Sequence, residues 1–198
     1  MLTALARRSG AVLSAVTRPP DDRSRTRSEL SAALERADLV IVSDGISIGP
    51  HDHVKQAAAG LSVAEVFWGV ALQPGWPTWL GERSGKLVLA VPGNPVSAVV
   101  AFTLFAGPAL AALQCRAPER AHDSEAVLGL AVRRHASREQ ALRVRLERRH
   151  ARTVAHLNGP QGSHLLSSLP GADALALIPP GEGELEAGAP VALEPLAR

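Results

Sequence analysis

The sequence predicts an α/β fold: a doubly wound, mostly parallel sheet followed by a small all-β barrel. Three observations carry that expectation. Over residues 1–113, short apolar runs alternate with amphipathic helical stretches, as in stacked strand–helix–strand units. Two of those runs end in glycine-bearing turns, at 43–49 and 91–97. Beyond residue 121, five short apolar runs follow, parted by turns rich in glycine and proline. The domains are therefore placed at 1–113 and 121–198, with 114–121 as a linker.

Residues 3–9 read as a helix stopped at Gly10, and 11–16 as a short strand before the loop 18–22. Residues 28–37 set Leu30, Ala33, Leu34 and Ala37 on one helical face. A buried strand at 39–42 and a helix from 52 to Gly60 come next. Residues 63–71 read as a strand carrying Phe67 and Trp68, broken by Pro74-Gly75-Trp76-Pro77. Runs 79–81 and 87–91 can pair as a hairpin through Ser84 and Gly85. Residues 95–113 form a long apolar helix that Pro108 kinks or restarts. The barrel strands are read at 126–132, 142–146, 154–157, 174–178 and 191–193.

A hydrophobic fraction of 46% over 198 residues supports a packed core. No run approaches the ~20 apolar residues of a membrane span, so no membrane partner is expected. The single cysteine, Cys115, excludes an internal disulfide, fits a cytoplasmic location and reads as a small buried hydrophobe. Net charge is +2, and the lysines are Lys55 and Lys86. The arginines between Arg133 and Arg152 have no aromatic residues among them for base stacking. They read as a solvated strand face with one arginine aimed at a ligand, and no nucleic acid is expected.

Asn94 is a good helix N-cap, and Pro95 fits the first helical position. Pro92 and Gly93 let the backbone approach a ligand, and Ser97 lies in the first turn. Free N–H groups and the helix dipole would make this an anion site; a well-made strand-to-helix turn is the simpler reading. The loop Ser43-Asp44-Gly45-Ile46-Ser47-Ile48-Gly49 adds hydroxyls and glycines at a second strand end. In an open sheet such turns meet where ligands bind. Asp44 would repel a phosphate unless it points away or binds a cation. In His51-Asp52-His53, successive residues point apart, which disfavours zinc; Asp52 suits Mg²⁺, which needs only one or two carboxylates beside phosphate oxygens. Asp21 and Asp22 either share that ion or cap the next helix. Gly162-Ser163-His164 lacks a nucleophile elbow and reads as a polar loop touching a ligand.

In order, these segments resemble the C-terminal half of the molybdopterin molybdenumtransferases, the family that includes the E domain of gephyrin. Ser43 to Gly49 is similar to the family's Ser-Gly-Gly-Val-Ser-Val-Gly, and His51-Asp52-His53-Val54-Lys55 follows it. Pro92-Gly93-Asn94-Pro95-Val96-Ser97-Ala98 matches a family segment, and Gln161-Gly162-Ser163-His164-Leu165-Leu166-Ser167-Ser168 resembles its barrel signature. The resemblance implies a molybdopterin-binding-domain-like first half lacking its first strand, then the family's β-barrel. It implies insertion of molybdate into adenylylated molybdopterin with Mg²⁺ and release of AMP, in molybdenum cofactor biosynthesis. Asp52 would hold Mg²⁺. Ser43, Gly45, Ser47, Gly49, Pro92, Gly93, Asn94, Pro95 and Ser97 would bind substrate, with Asp21, Asp52, Arg143 and Ser163 in catalytic roles. A homodimer, and contact with other cofactor-biosynthesis proteins, are further implications.

The chain departs from that pattern at several positions. Gln73 and Trp76 stand where the family has the lysines of Lys-Pro-Gly-Lys-Pro, and Gly69 replaces a frequent lysine. Asp44 replaces a glycine, while Ala141 and Val144 replace a Phe and a Gly beside Arg143. The alternative these departures favour is a truncated, non-catalytic paralogue that binds molybdopterin or a protein partner.

Overall fold

The apolar runs at 39–43 and 86–91 become neighbouring parallel strands, with Leu39 opposite Leu87 and Ser43 opposite Val91. In this computed structural model, which describes residues 1–46, 53–117, 125–150 and 152–196, they lie within the first of two units. That unit comprises Met1–Val70 and Gly75–Ala117; the second comprises Ala71–Pro74 and Pro118–Arg198.

The first unit contains α1 (Leu2–Arg8), α2 (Arg23–Arg36), β1 (Leu39–Ser43), α3 (His53–Gly60) and β2 (Ala64–Trp68). After β3 (Leu72–Gln73), which belongs to the second unit, it continues with β4 (Trp79–Arg83) and β5 (Lys86–Val91). The helix 95–113 is built from α4 (Pro95–Ala101), a π-helical turn (Phe102–Ala106) and α5 (Gly107–Leu113). The sheet order is β1-β5-β4-β2. Within this sheet, and among the described residues, only β1 and β5 pair in parallel; β4 runs antiparallel to both its neighbours. The expected mostly parallel sheet is therefore mixed. The reason is local: a two-residue connection at Ser84 and Gly85 can join antiparallel strands but not parallel ones.

Helices do cover both faces. Strand alternation sends Val88 and Ala90 to one side, against Leu30 and Leu34 of α2 and Val54, Ala57 and Ala58 of α3. It sends Leu89 and Val91 to the other, against Ala6, Ala98, Ala101, Phe102 and Leu110. Burying each Val or Leu side chain stabilises this packing by roughly 1.5–3 kcal/mol.

Several local expectations change. Residues 11–16 form no strand: Ala11 and Leu13 pack on the second cluster, but Val12 and Val16 are 95% and 70% exposed. No described strand pairs with them, so alternate side chains stay in water. Helix α2 starts five residues earlier than the apolar pattern indicates, because Asp22 caps it by accepting from the Arg25 N–H at 2.8 Å. Pro108 acts one turn ahead of itself. It cannot donate to the Leu104 carbonyl and would clash with it. The chain widens into the π-helical turn, where the Gly107 N–H reaches the Phe102 carbonyl. By length and composition the helix 95–113 could cross a membrane, contrary to the expectation of no such run; here half of it is buried against the sheet. Cys115 is exposed rather than buried, because it follows the helix end.

The second unit holds β6 (Glu125–Leu128), β7 (Val132–Arg133), β8 (Glu139–Arg149), β9 (Arg152–Leu157), β10 (Ala174–Ile178), β11 (Glu184–Leu185) and β12 (Pro190–Pro195). The cycle β8-β10-β12-β6-β9 closes on itself as a five-stranded barrel. Leu142, Val144, Ala155, Ala176, Ile178, Val191 and Leu193 fill it. The expected strand 63–71 is cut short: β2 ends at Trp68, and beyond the expected range a separate strand, β3, pairs in parallel with the start of β8. The expected strand 126–132 also divides, into β6 and β7, and β7 pairs with β11.

Candidate functional site

The parallel register of β1 and β5 brings two turns to one edge of the sheet. Ser43 and Val91 are paired residues, so the chains leaving them start side by side. The Asp44 N–H donates to the Val91 carbonyl at 2.9 Å and ties the first turn to the second strand. Asp44 and Gly45 then take left-handed conformations, with φ of 78° and 77°. A side chain on Gly45 would also meet Val54 Cγ2 at 2.7 Å, so glycine is required there twice over. The two turns touch at Gly93, where an added Cβ would lie 2.9 Å from Asp44 Cγ. Asp44 thus points its carboxylate between the turns, and its Oδ1 accepts from the Gly45 N–H at 3.0 Å.

The second turn enters a helix as expected. Asn94 caps it, its Oδ1 accepting from the Val96 N–H at 3.2 Å, and Pro95 takes the first helical position. Ser97 is buried in the first turn. Asp21 lies beside the start of α3, with Oδ1 3.9 Å from Nε2 of His53. Its neighbour Asp22 is the helix cap. The Arg25 N–H and the Ser24 hydroxyl hold the Asp22 carboxyl below the usual aspartate range. Of the residues expected to bind substrate, Ser43, Gly45, Pro92, Gly93, Asn94, Pro95 and Ser97 thus sit on two adjoining turns. Ser47, Gly49 and Asp52 lie outside the described residues.

In the second unit, Arg143 occupies an outward position of β8, between the inward Leu142 and Val144. It is nevertheless completely buried, because the segment 158–170 folds over it. Its Nε donates to Ser168 Oγ at 3.1 Å and its Nη2 to the Gly162 carbonyl at 3.2 Å. Nη1 is buried without an acceptor among the described residues. Burial away from water lowers the pKa of this guanidinium. Gln161 reads the Arg143 backbone from both sides, accepting from its N–H at 2.8 Å and donating to its carbonyl at 3.1 Å. Asn158 also donates its backbone N–H to the Arg143 carbonyl, at 2.8 Å. Ser163 follows the Gly162 carbonyl that Arg143 holds, yet the hydroxyl bonded to the guanidinium is that of Ser168. Ser168 and Asn158 were not among the expected site residues. Ser168 stood in the barrel segment, but sequence spacing does not say which serine turns inward.

Residues 1–112 match the family model described as "Probable molybdopterin binding domain", and residues 125–196 match "MoeA C-terminal region (domain IV)". A Mycobacterium tuberculosis (strain H37Rv) protein, "Molybdopterin molybdenumtransferase 2", is 34% identical over 194 residues, covering 95% of this chain and 47% of its own length. The Haemophilus influenzae "Molybdopterin molybdenumtransferase" is 29% identical over 178 residues, 89% of this chain and 44% of that protein. A solved Pyrococcus horikosii structure, titled as molybdopterin biosynthesis moea protein, shares 28% identity at a TM-score of 0.70. That match covers 90% of this chain and 42% of the other. The chain spans about half the length of the curated relatives it matches. With both halves matched in order, the chain belongs to the molybdopterin molybdenumtransferase family and corresponds to its C-terminal half.

Proposed function

We propose that this chain binds adenylylated molybdopterin at the paired strand-end turns and serves the insertion of molybdate, with release of AMP, in molybdenum cofactor biosynthesis. One observation carries the reading: Ser43 and Val91 are register partners, so two amide-rich turns open onto one place. Ser43, Gly45, Ser47 and Gly49 from one turn, and Pro92 to Ser97 from the other, would hold phosphate oxygens through N–H groups and hydroxyls. In the barrel, Arg143 and Ser163 would bind an anionic group; the Arg143 Nη1, buried with no acceptor among the described residues, supports that role.

Mg²⁺ fits the donors on this edge. Among the described residues no group of three or more His, Cys, Asp or Glu could hold a metal. Mg²⁺ needs only one or two carboxylates beside phosphate oxygens, and the Asp44 carboxylate already lies between the turns. Asp52 would hold an ion that arrives with the substrate, with Asp44 or Asp21 as a second carboxylate. The ion would neutralise phosphate charge.

Isothermal titration calorimetry with adenylylated molybdopterin tests this. Binding should occur with Mg²⁺ present and weaken in Asp52→Ala. No binding, or binding indifferent to that substitution, would count the reading out. We further propose a cytoplasmic homodimer, which light scattering would check.

A second reading has its own observation: Gln73 and Trp76 replace two lysines of the family pattern. A charge-assisted hydrogen bond contributes ~1.5–3 kcal/mol, so losing two weakens oxyanion binding by roughly 10²–10⁴. On that reading the chain binds the pterin without catalysis. Reconstitution of active cofactor from adenylylated molybdopterin and molybdate would eliminate it.

A further inference from the structure

We propose that Trp76, with Trp68 and the Lys55 ammonium seated on it, forms a stacking subsite for the fused heteroaromatic ring of a phosphorylated ligand. The inference rests on the phosphate-binding reading above and adds where the ring goes.

Strand direction places the aromatic pair. β2 and β5 each run antiparallel to β4, so β2 points the same way as β5 and β1. Trp68 ends β2 in a row with Trp79, Ala90 and Val42, one residue short of the Ser43–Val91 pair. The chain after Trp68 therefore leaves the sheet on the edge where both anion-cradling turns open. From β5 to β2 is two strand spacings, ~10 Å. A nucleotide or pterin phosphate lying along the edge can put its phosphate at the turns and its ring at Trp68.

The side chains at that end suit a flat aromatic ring with a negative charge attached. Lys55 Nζ sits 3.7 Å from the centroid of the Trp68 ring. It makes no ion pair among the described residues. Trp76 stands against Trp68 at 5.6 Å with the planes at 65°, making a corner of two indoles. Both are only partly buried, whereas Trp79 is core and donates to Glu65 Oε2 at 2.7 Å. The Trp68 indole N–H is buried with no acceptor among the described residues, a polar group left unsatisfied at this corner. Gly69 hangs no side chain beside the Trp76 indole nitrogen. Indoles accept any base by its π-face, and a neighbouring cation strengthens the hold. Adenine and pterin share this chemistry.

The full chain would be titrated with AMP, neopterin phosphate and the ring-free ribose 5-phosphate, with calorimetry and tryptophan fluorescence as readouts. At least one ring-bearing probe should bind about tenfold or more tighter than ribose 5-phosphate and quench fluorescence. Whichever ring gains more identifies the moiety the corner takes. Trp76→Leu should erase that advantage and leave ribose 5-phosphate affinity unchanged, while Trp76→Phe should keep part of it. Transferred NOEs between ligand ring protons and the Trp76 indole read the same contact in the unaltered chain. Equal binding of all three probes, an advantage that survives Trp76→Leu, or absent NOEs would overturn the subsite and leave the phosphate reading standing. Failure of all three probes, and of inorganic pyrophosphate titrated beside them, would remove both.

Discussion

Asp44 is the residue at which chemistry and conformation meet. Its φ of 78° suits glycine, yet a carboxylate stands there, between the two turns and bonded to the Gly45 N–H. That N–H is one a phosphate would otherwise take. At ~4 Å two unit charges repel by about 1 kcal/mol in water and several times more near a protein surface. Asp44→Gly should therefore raise affinity for inorganic pyrophosphate without Mg²⁺ by about tenfold, and by less when Mg²⁺ is present. Calorimetry with and without the ion is the check; equal affinities in the two proteins would show that the carboxylate does not face the ligand. The buried Arg143 poses the complementary case, a cation whose Nη1 has no acceptor among the described residues. Its orientation depends on Ser168, Gly162 and Gln161, all contributed by the segment that covers it.

Among the elements, α2 depends most visibly on one side chain. Asp22 accepts from the Arg25 N–H and the Ser24 hydroxyl, and its carboxyl is held below the ordinary aspartate range by those bonds. A depressed folded-state pKa stabilises the fold above the unfolded value, and that contribution fades as pH falls through the folded one. Between about pH 5 and about pH 2 the unaltered chain should lose more thermal stability than Asp22→Ala, which has no such carboxylate to protonate. Parallel melting curves at the two pH values would decide it. Equal losses would mean that the cap contributes nothing to α2. The apolar pattern of α2 was readable from sequence, but its first turn, Arg23 to Thr26, carries no apolar residue. Only the cap marks that start.

At the scale of the whole molecule, β3 ties a segment from the middle of the first unit's sequence into the second. Leu72 is buried at 4% exposure, and the backbone around it pairs with Glu139 and Gln140 of β8. Leu72→Ala should therefore destabilise the barrel unit, by about 2–4 kcal/mol if the site relaxes little. Urea unfolding followed by hydrogen exchange at β8 amides would measure it. An unchanged exchange pattern would place β3 outside the barrel's cooperative unit. Such a pairing has no local signature: a two-residue strand is too short to show periodicity, so it reads as part of the loop before Pro74.

The amino-acid order by itself settled the strand-to-helix turn at Asn94 and Pro95, the hairpin at Ser84 and Gly85, and the five barrel strands. Those features follow from nearest-neighbour preferences: a cap, a fixed φ, a tight turn, alternating side chains. Tertiary structure alone decided that β4 makes the sheet mixed, that Asp44 turns toward Gly93, and that Ser168 rather than Ser163 holds Arg143. Each of these depends on which distant segment supplies the neighbour. A side chain's direction is set by the space and the partners it finds, and these exist only once the chain has closed on itself.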